Sequence, residues 1–414
     1  MLHLGRRDQV LAWVPVALLG LATIGAYGLA QYAIGTLLPA IAGGEGWSSG
    51  TLAGGYAVGI LFQGPVALLA GREFDRRGSR FVLLPALLVG SAALLLASIA
   101  PTAWAFVVFW AIGSAAFGGG LYYSMTMPAT VRLYASRRAQ ALSLLTLIGA
   151  LAAPLFSPLT AGLVDAFGWR VAIRWLVLAA GICIVPAALF VRAPAGSLAH
   201  CAAEFGTSWG RALRTRSVQR VLLVMAIGGM ANHALLLHQV SALQVAGLSL
   251  AAASSFAGAR GGFQILGRVF LAPLTARLGI HRAMALCYAL AATSVLSVLV
   301  LAAQRGWAPT AFYFAVIGGM SLGLLSPLNG LLQAEAYGDA SLGRLTGVTV
   351  IAVSIAGWIG SWGTGLVADA TGNVLLPFAM IAALQLAAVV PLVLGASVSR
   401  PAAGASQPQP VSSE

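Results

Sequence analysis

The sequence has no lysine and little acid. All 23 of its cations are arginine, against 10 aspartates and glutamates, and charged residues fill only 8% of its 414 positions. A soluble domain carries about 25%. Charge this scarce cannot cover a water-facing surface, so lipid must be the solvent for most of the exterior. Cysteine is scarce as well. Cys183, Cys201 and Cys287 are scattered and odd in number, which excludes a disulfide framework and a zinc site. No apolar run holds paired carboxylates, metal-ligand spacing or an activated nucleophile, and the glycine runs lack the strand-to-helix setting of a phosphate loop. The chain therefore reads as a non-enzyme that needs no cofactor. A net charge of +13 raises the question of nucleic acid. The arginines lie in short clusters between apolar segments, without a basic stripe or a stacking platform, so nucleic acid is excluded as a partner.

What is present is apolar. Hydrophobic residues make up 59% of the chain, and the mean hydropathy is +0.92. The 50 glycines sit inside apolar runs, where small residues let membrane helices approach closely. A spanning helix needs about 20 apolar residues. Twelve runs qualify: 11–41, 47–71, 81–100, 103–131, 139–165, 170–192, 219–246, 250–275, 282–303, 309–335, 344–368 and 373–396. The first is longer than the roughly 7–15-residue apolar region of a signal peptide, so it is read as a retained helix. Residues 193–218, with His200, Glu204, Arg211, Arg214 and Arg216, form a linker that splits six runs from six. The Pro- and Ser-rich tail 397–414 is predicted to be disordered. The expected fold is an all-α integral membrane protein, with residues 1–192 and 219–396 forming two six-helix bundles.

Cytoplasmic loops carry the excess of basic residues. Arg72, Arg76, Arg77 and Arg80 follow the second run, Arg132, Arg137 and Arg138 the fourth, and Arg277 and Arg282 the eighth. The opposite loops hold Glu45, Asp165 and Asp369, with Arg170 and Arg305 as their cations. This predicts a multi-pass inner (plasma) membrane protein with both termini and the linker cytoplasmic, which requires an even number of spans. The halves also echo one another. GREFDRRGSR (71–80) returns as LTARLGIHR (274–282), and AGLVDAFG (161–168) as GLVADATG (365–372). A duplicated six-helix half is the layout of many transporters, whose substrate site lies where the halves meet.

Gly71, Asp75, Arg76, Gly78 and Arg80 form G-x-x-x-D-R-x-G-x-R between the second and third runs. This resembles the loop signature of the major facilitator superfamily. Glycine would allow a tight turn there, and Asp75 sits among arginines where a gating ion pair can form and break. Read without the resemblance, the cluster is a positive-inside anchor. Within that superfamily the chain resembles the monocarboxylate porters and oxalate/formate exchangers. The resemblance rests on EGWS (45–48), GGGLYYS (118–124), YASRRAQALS (134–143), DAFGWR (165–170), HQVSALQVAGLS (238–249), ILGRVFLAPLTARLG (265–279) and EAYG (335–338). It implies a monomeric carrier with a small organic anion as cargo and a proton as coupling ion.

An ionisable residue at bilayer depth costs about 2.5–3.5 kcal/mol and should face a cavity or a partner. Arg268 lies within the eighth run and matches the arginine that binds the substrate carboxylate in the resembled family. Guanidinium can hold a carboxylate by two parallel hydrogen bonds; the plainer reading is an arginine near the cytoplasmic end that snorkels to the interface or pairs with an inter-helix acid. Arg260, eight residues earlier on nearly the same face, is either a second anion-holding charge or an interfacial one. Animal members of the family carry an aspartate one turn before the arginine, where this chain has Gln264, so their proton-linked pair is missing. His238 matches a histidine of bacterial members and is the candidate proton carrier and substrate ligand; otherwise it is a hydrogen-bonded interior histidine. His233 points elsewhere on the same helix, and Asn232 is a candidate orienting partner. Tyr32 falls where the animal members have a functional lysine. Where the oxalate exchangers carry a lysine, the eleventh run offers Ser354, Trp358 and Trp362. The lost cations favour a monoanion over a dianion. Tyr122, Tyr123 and Asn329 complete the substrate-site candidates, with packing as the alternative for the tyrosines. Glu335 and Asp339 are expected to pair with Arg344 near the cytoplasm.

The expected function is secondary active transport of a small organic anion, a monocarboxylate above all, by proton-coupled alternating access. The alternative is efflux of a drug-like or other small compound. That activity calls for an acid deep in the first or fourth run, and neither has one. A sensor would need a cytoplasmic module larger than the linker.

Overall fold

The computed structural model describes residues 13–194, 214–304, 308–337 and 342–396. Most of the linker and the whole tail lie outside the described residues. Among the described residues every regular element is helical, as lipid demands of a backbone whose polar groups must be satisfied internally. The side chains turned outward are Leu, Ile, Val, Phe and Trp, including Leu88, Trp104, Ile182, Phe190 and Val269.

Among the described residues, ten stretches are long and apolar enough to cross a membrane, yet the helices number twelve. Two further ends come from glycine. Gly168 (φ 75°) and Gly279 (φ 73°) interrupt otherwise continuous helical stretches, because left-handed backbone is open to glycine and closed to most other residues. The eighth helix is not among the ten, since it carries Arg260, Gln264 and Arg268. We number the helices α1 (Val14–Glu45), α2 (Ser49–Arg77), α3 (Arg80–Ser98), α4 (Ala103–Leu133), α5 (138–167) and α6 (169–190) in the first half. The second half holds α7 (Arg216–Val245), α8 (250–278), α9 (280–303), α10 (Ala308–Tyr337), α11 (Leu342–Thr371) and α12 (Leu375–Ala396). The expected spans agree to within a few residues, except at Arg-rich ends, where polar turns lengthen α2 and α7. Helix α7 begins at Arg216, so it takes the last three residues of the expected linker.

The halves are built alike. Among the described residues, six glycines have positive φ: Gly46, Gly78, Gly168, Gly247, Gly279 and Gly372. They form three pairs about two hundred residues apart, at the α1–α2 and α7–α8 links, the α2–α3 and α8–α9 links, and the α5–α6 and α11–α12 links. The caps repeat as well. Ser48 accepts from Thr51 N at 3.0 Å to start α2, and Ser249 accepts from Ala252 N at 3.2 Å to start α8. Each half has its own apolar interior, one centred on Leu29, Trp110 and Phe117, the other on Val221, Leu328, Phe314 and Phe378.

The halves meet along α2–α11, α5–α8 and α1–α7. A Cβ on Gly365 of α11 would lie 2.6 Å from Ala53 of α2, one on Gly261 of α8 would lie 2.2 Å from Ala153 of α5, and one on Gly35 of α1 would lie 2.6 Å from the Leu236 carbonyl of α7. All of these contacts lie toward the Arg-poor ends of the helices. Toward the Arg-rich ends, a Cβ on Gly64, Gly71 or Gly347 would meet nothing within 4 Å. The closest glycine contacts between the halves thus lie toward the Arg-poor end, and these glycines of α2 and α11 toward the other end stand clear.

Candidate functional site

A cavity of about 340 Å³ lies between the halves. A larger apolar groove of about 760 Å³, among α2, α3 and α4, is lined by Phe62, Leu69, Phe81 and Trp104. That groove is apolar apart from Glu73 and lies within one half, so the central cavity, with its many polar side chains, is the candidate site.

The first half gives the cavity tyrosines and a glutamine. Helix α1 passes through a π-helical turn at Gly28–Tyr32. Such turns recur at functional sites, and this one presents Gln31 and Tyr32 to the cavity beside Tyr27. Helix α4 breaks at Leu121 and at Tyr122, whose backbone is extended. The break divides the paired tyrosines: Tyr123 lines the cavity, and Tyr122 turns behind it to stack on Tyr27 at 3.8 Å between ring centroids. Gly149 of α5 makes room for Tyr123, since a Cβ there would lie 2.3 Å from its hydroxyl.

The second half gives the cations. Arg260 and Arg268 of α8 both line the cavity, with Gln264 between them facing Tyr32. Arg260 is 4% exposed. Its Nη1 donates to Gln239 Oε1 at 3.2 Å, its guanidinium lies 5.6 Å from the Phe314 ring centroid, and its Nε has no partner. Arg268 is half-buried nearer the Arg-rich mouth. Neither arginine has a carboxylate within ion-pair distance among the described residues. A buried charge without a partner is costly, so this region favours an anion. Around the arginines, Asn232, His233, Asn329 and Gln385 each present to the cavity's walls a buried polar atom without a partner.

The structure thus gathers Arg260, Arg268, Tyr32, Tyr123 and Asn329 around one space. His238 is placed apart. It is 1% exposed, lies outside the cavity lining, and faces Ser361 and Asp369 toward the Arg-poor end. His233 takes the cavity position on α7, 6.5 Å from the Tyr56 ring. On α11, Val353 reaches the cavity, while Trp358 and Trp362 pack on each other. Tyr27, Gln31, Tyr288 and Gln385 were not singled out in the sequence. Their signal was only a polar tip within an apolar run.

At the Arg-rich end, Asp75 forms an ion pair with Arg132. Arg132 also donates to the Pro194 carbonyl at 3.2 Å and lies 4.1 Å from the Phe74 ring centroid. Glu73 takes Arg77 at 3.3 Å and Arg76 at 3.9 Å. The turn falls on Gly78 (φ 89°); Gly71 stays helical within α2, and Arg80 opens α3 exposed to solvent. Glu335 lies 3.9 Å from His281; Asp339 and the Arg344 side chain lie outside the described residues.

Solved transporters share this architecture. The nucleoside transporter NupG superposes with a TM-score of 0.77 at 12% identity, covering 92% of this chain and 99% of that one. A proton-dependent oligopeptide transporter gives 0.71 at 14% identity, covering 94% and 98%. A bacterial homologue of the human lysosomal transporter Spinster, inward-facing and unoccupied, gives 0.64 at 14%, covering 94% and 95%. No curated protein sequence matches the chain. The sequence profile of the Major Facilitator Superfamily matches residues 20–361, most of the chain, and with twelve helices in two related halves around a central cavity the protein belongs to that superfamily of membrane transporters.

Proposed function

We propose that the protein carries a small organic anion across the inner membrane by alternating access, with its Arg-rich loops and both termini in the cytoplasm. One observation carries this reading: two arginines of α8 line the cavity between the halves, with no acid among the described residues to neutralise them. A carboxylate held by Arg268, Arg260 or both would supply the missing charge. Tyr32, Tyr123 and Asn329 would orient the rest of the cargo, and Asp75 with Arg132 would act in gating.

The cavity also speaks to cargo size. At about 340 Å³, it exceeds the smallest monocarboxylates, since a water's share of liquid volume is roughly 30 Å³. Unpartnered amide atoms on Asn232, Asn329 and Gln385 suit an acid that bears hydroxyl or N–H groups. A second reading, a neutral heterocyclic cargo, draws on the four cavity tyrosines and the likeness to a nucleoside transporter. Coupling to protons would fall to α7, through His238 or the cavity-lining His233.

Uptake into proteoliposomes of labelled monocarboxylates, hydroxylated acids and nucleosides tests these readings together. Acid uptake that Arg268→Ala abolishes is expected. Uptake confined to nucleosides, or acid uptake indifferent to Arg268→Ala, would overturn the anion reading. Comparing His233→Ala with His238→Ala under an imposed pH gradient identifies the coupling residue, and an unchanged response in both removes α7 from that role.

A further inference from the structure

The two sides of the seam between the halves differ in one respect. At the Arg-poor end, Asp369 on the last turn of α11 reaches the first turn of α2 in the other half. Its Oδ2 accepts from Ser48 Oγ at 2.5 Å and from the Gly50 backbone N–H at 2.8 Å. The first N–H groups of a helix lack partners within it, and its dipole favours an anion at that end. A carboxylate of one half therefore caps a helix of the other. Ser48 completes the cap by accepting from Thr51 N at 3.0 Å. Gly50 allows the approach: a Cβ there would lie 2.5 Å from Asp369 Oδ2 and 3.3 Å from Gly365.

The internal repeat supplies a built-in comparison. Asp369 stands three residues before Gly372, as Asp165 stands three before Gly168, and both glycines have positive φ. Ser48 caps α2 as Ser249 caps α8. By symmetry, Asp165 of α5 should reach the start of α8. Instead it is exposed and forms no ion pair or hydrogen bond among the described residues. The backbone is duplicated, and the cap across the seam is made on one side alone.

We propose that Asp369 is the latch of the Arg-poor gate. Its carboxylate holds α2 against α11 while that end is closed, and the end opens when this cap is released. The proposal rests on the alternating-access reading but not on the identity of the cargo. Among the described residues few other charged or titratable groups bear on Asp369. His238 of α7 is near enough to interact with it electrostatically, the start of α2 gives it Ser48 and Gly50, and Glu45 at the end of α1 is held by Arg170 at 3.2 Å.

Accessibility tests it. Leu237 of α7 is fully buried and packs into the apolar interior of the first half, so a cysteine there reports parting of the seam. In a background with Cys183, Cys201 and Cys287 changed to serine, Leu237→Cys is labelled by a membrane-impermeant maleimide applied to the Arg-poor face. Asp369→Asn should speed labelling roughly fivefold, the scale expected for loss of a charged cap. Ser48→Ala, which keeps the charge, should fall between, Asp369→Glu should restore slow labelling, and Asp165→Asn should leave the rate unchanged. The proposal is overturned if Asp369→Asn and Ser48→Ala label at the parent rate, or if Asp165→Asn speeds labelling equally. Faster labelling of Asp369→Asn in a protein that takes up no acid would leave the latch standing and remove the anion reading.

Discussion

Arg260 sits where a stability argument and a function argument pull in opposite directions. It is buried against Gln239 and Phe314, with no acid within ion-pair distance among the described residues. Replacing an unpaired buried charge with an apolar side chain of similar length often leaves a fold unharmed or firmer. Arg260→Met should therefore keep or raise the melting temperature of the cargo-free protein while weakening acid binding by roughly tenfold or more, as loss of a charge-assisted contact would. Arg260→Lys should recover part of the binding, because lysine restores the charge without the planar fork. Thermal unfolding and uptake, measured on the same preparations, check this. A large fall in melting temperature with normal uptake would make Arg260 structural. Arg260 and Arg268 were legible in the sequence because a charge in an apolar run demands a reason. Tyr27, Tyr288 and Gln385 were not, since such side chains serve packing equally well. His233 and His238 show a second limit. Five residues turn a helix by about 140° beyond a full turn, so only one of them can face the cavity, and the packing of α7 decides which.

Helix α8 holds its two arginines in place through α10. Gly319 and Gly323 form a G-x-x-x-G pair on α10 that lies directly on the α8 backbone. A Cβ on Gly319 would lie 2.4 Å from the Arg260 carbonyl oxygen, and one on Gly323 2.1 Å from that of Gln264. Gly267 of α8 returns the contact, with a Cβ there 2.1 Å from the Met320 carbonyl oxygen. These neighbours are backbone and cannot swing aside. Gly323→Ala should force the helices apart at a cost of about 1–3 kcal/mol, displacing Arg260 and Gln264 and lowering both melting temperature and uptake. Gly330→Ala, on the same helix with open space around it, should change neither. Equal behaviour of the two variants would show that the close contact is not what seats α8. The sequence showed the helices themselves through hydropathy and arginine clusters. It did not show this seat, because 50 glycines offer many small-residue pairs and only the relative rotation of two helices selects one.

For the whole molecule, the seam fixes which face the cavity serves. Close contacts of Gly35, Gly50, Gly261 and Gly365 gather toward the Arg-poor end, and Gly64, Gly71 and Gly347 stand clear toward the other. The closed end also carries the Asp369 cap, while the ion pair of Asp75 and Arg132 stays within the first half and does not tie the halves together. The cavity thus opens toward the Arg-rich loops, which the positive-inside rule assigns to the cytoplasm. Asn329 lines that cavity from α10, so Asn329→Cys in a cysteine-free background reports access from either side. An impermeant maleimide should label it readily in inside-out vesicles and poorly in right-side-out ones, and a transported acid should slow the labelling. If the preference is reversed, the assignment of the Arg-rich end to the cytoplasm falls. If both vesicle types label alike, the resting protein visits both openings about equally, and the contacts that close the Arg-poor end are too weak to set its resting state.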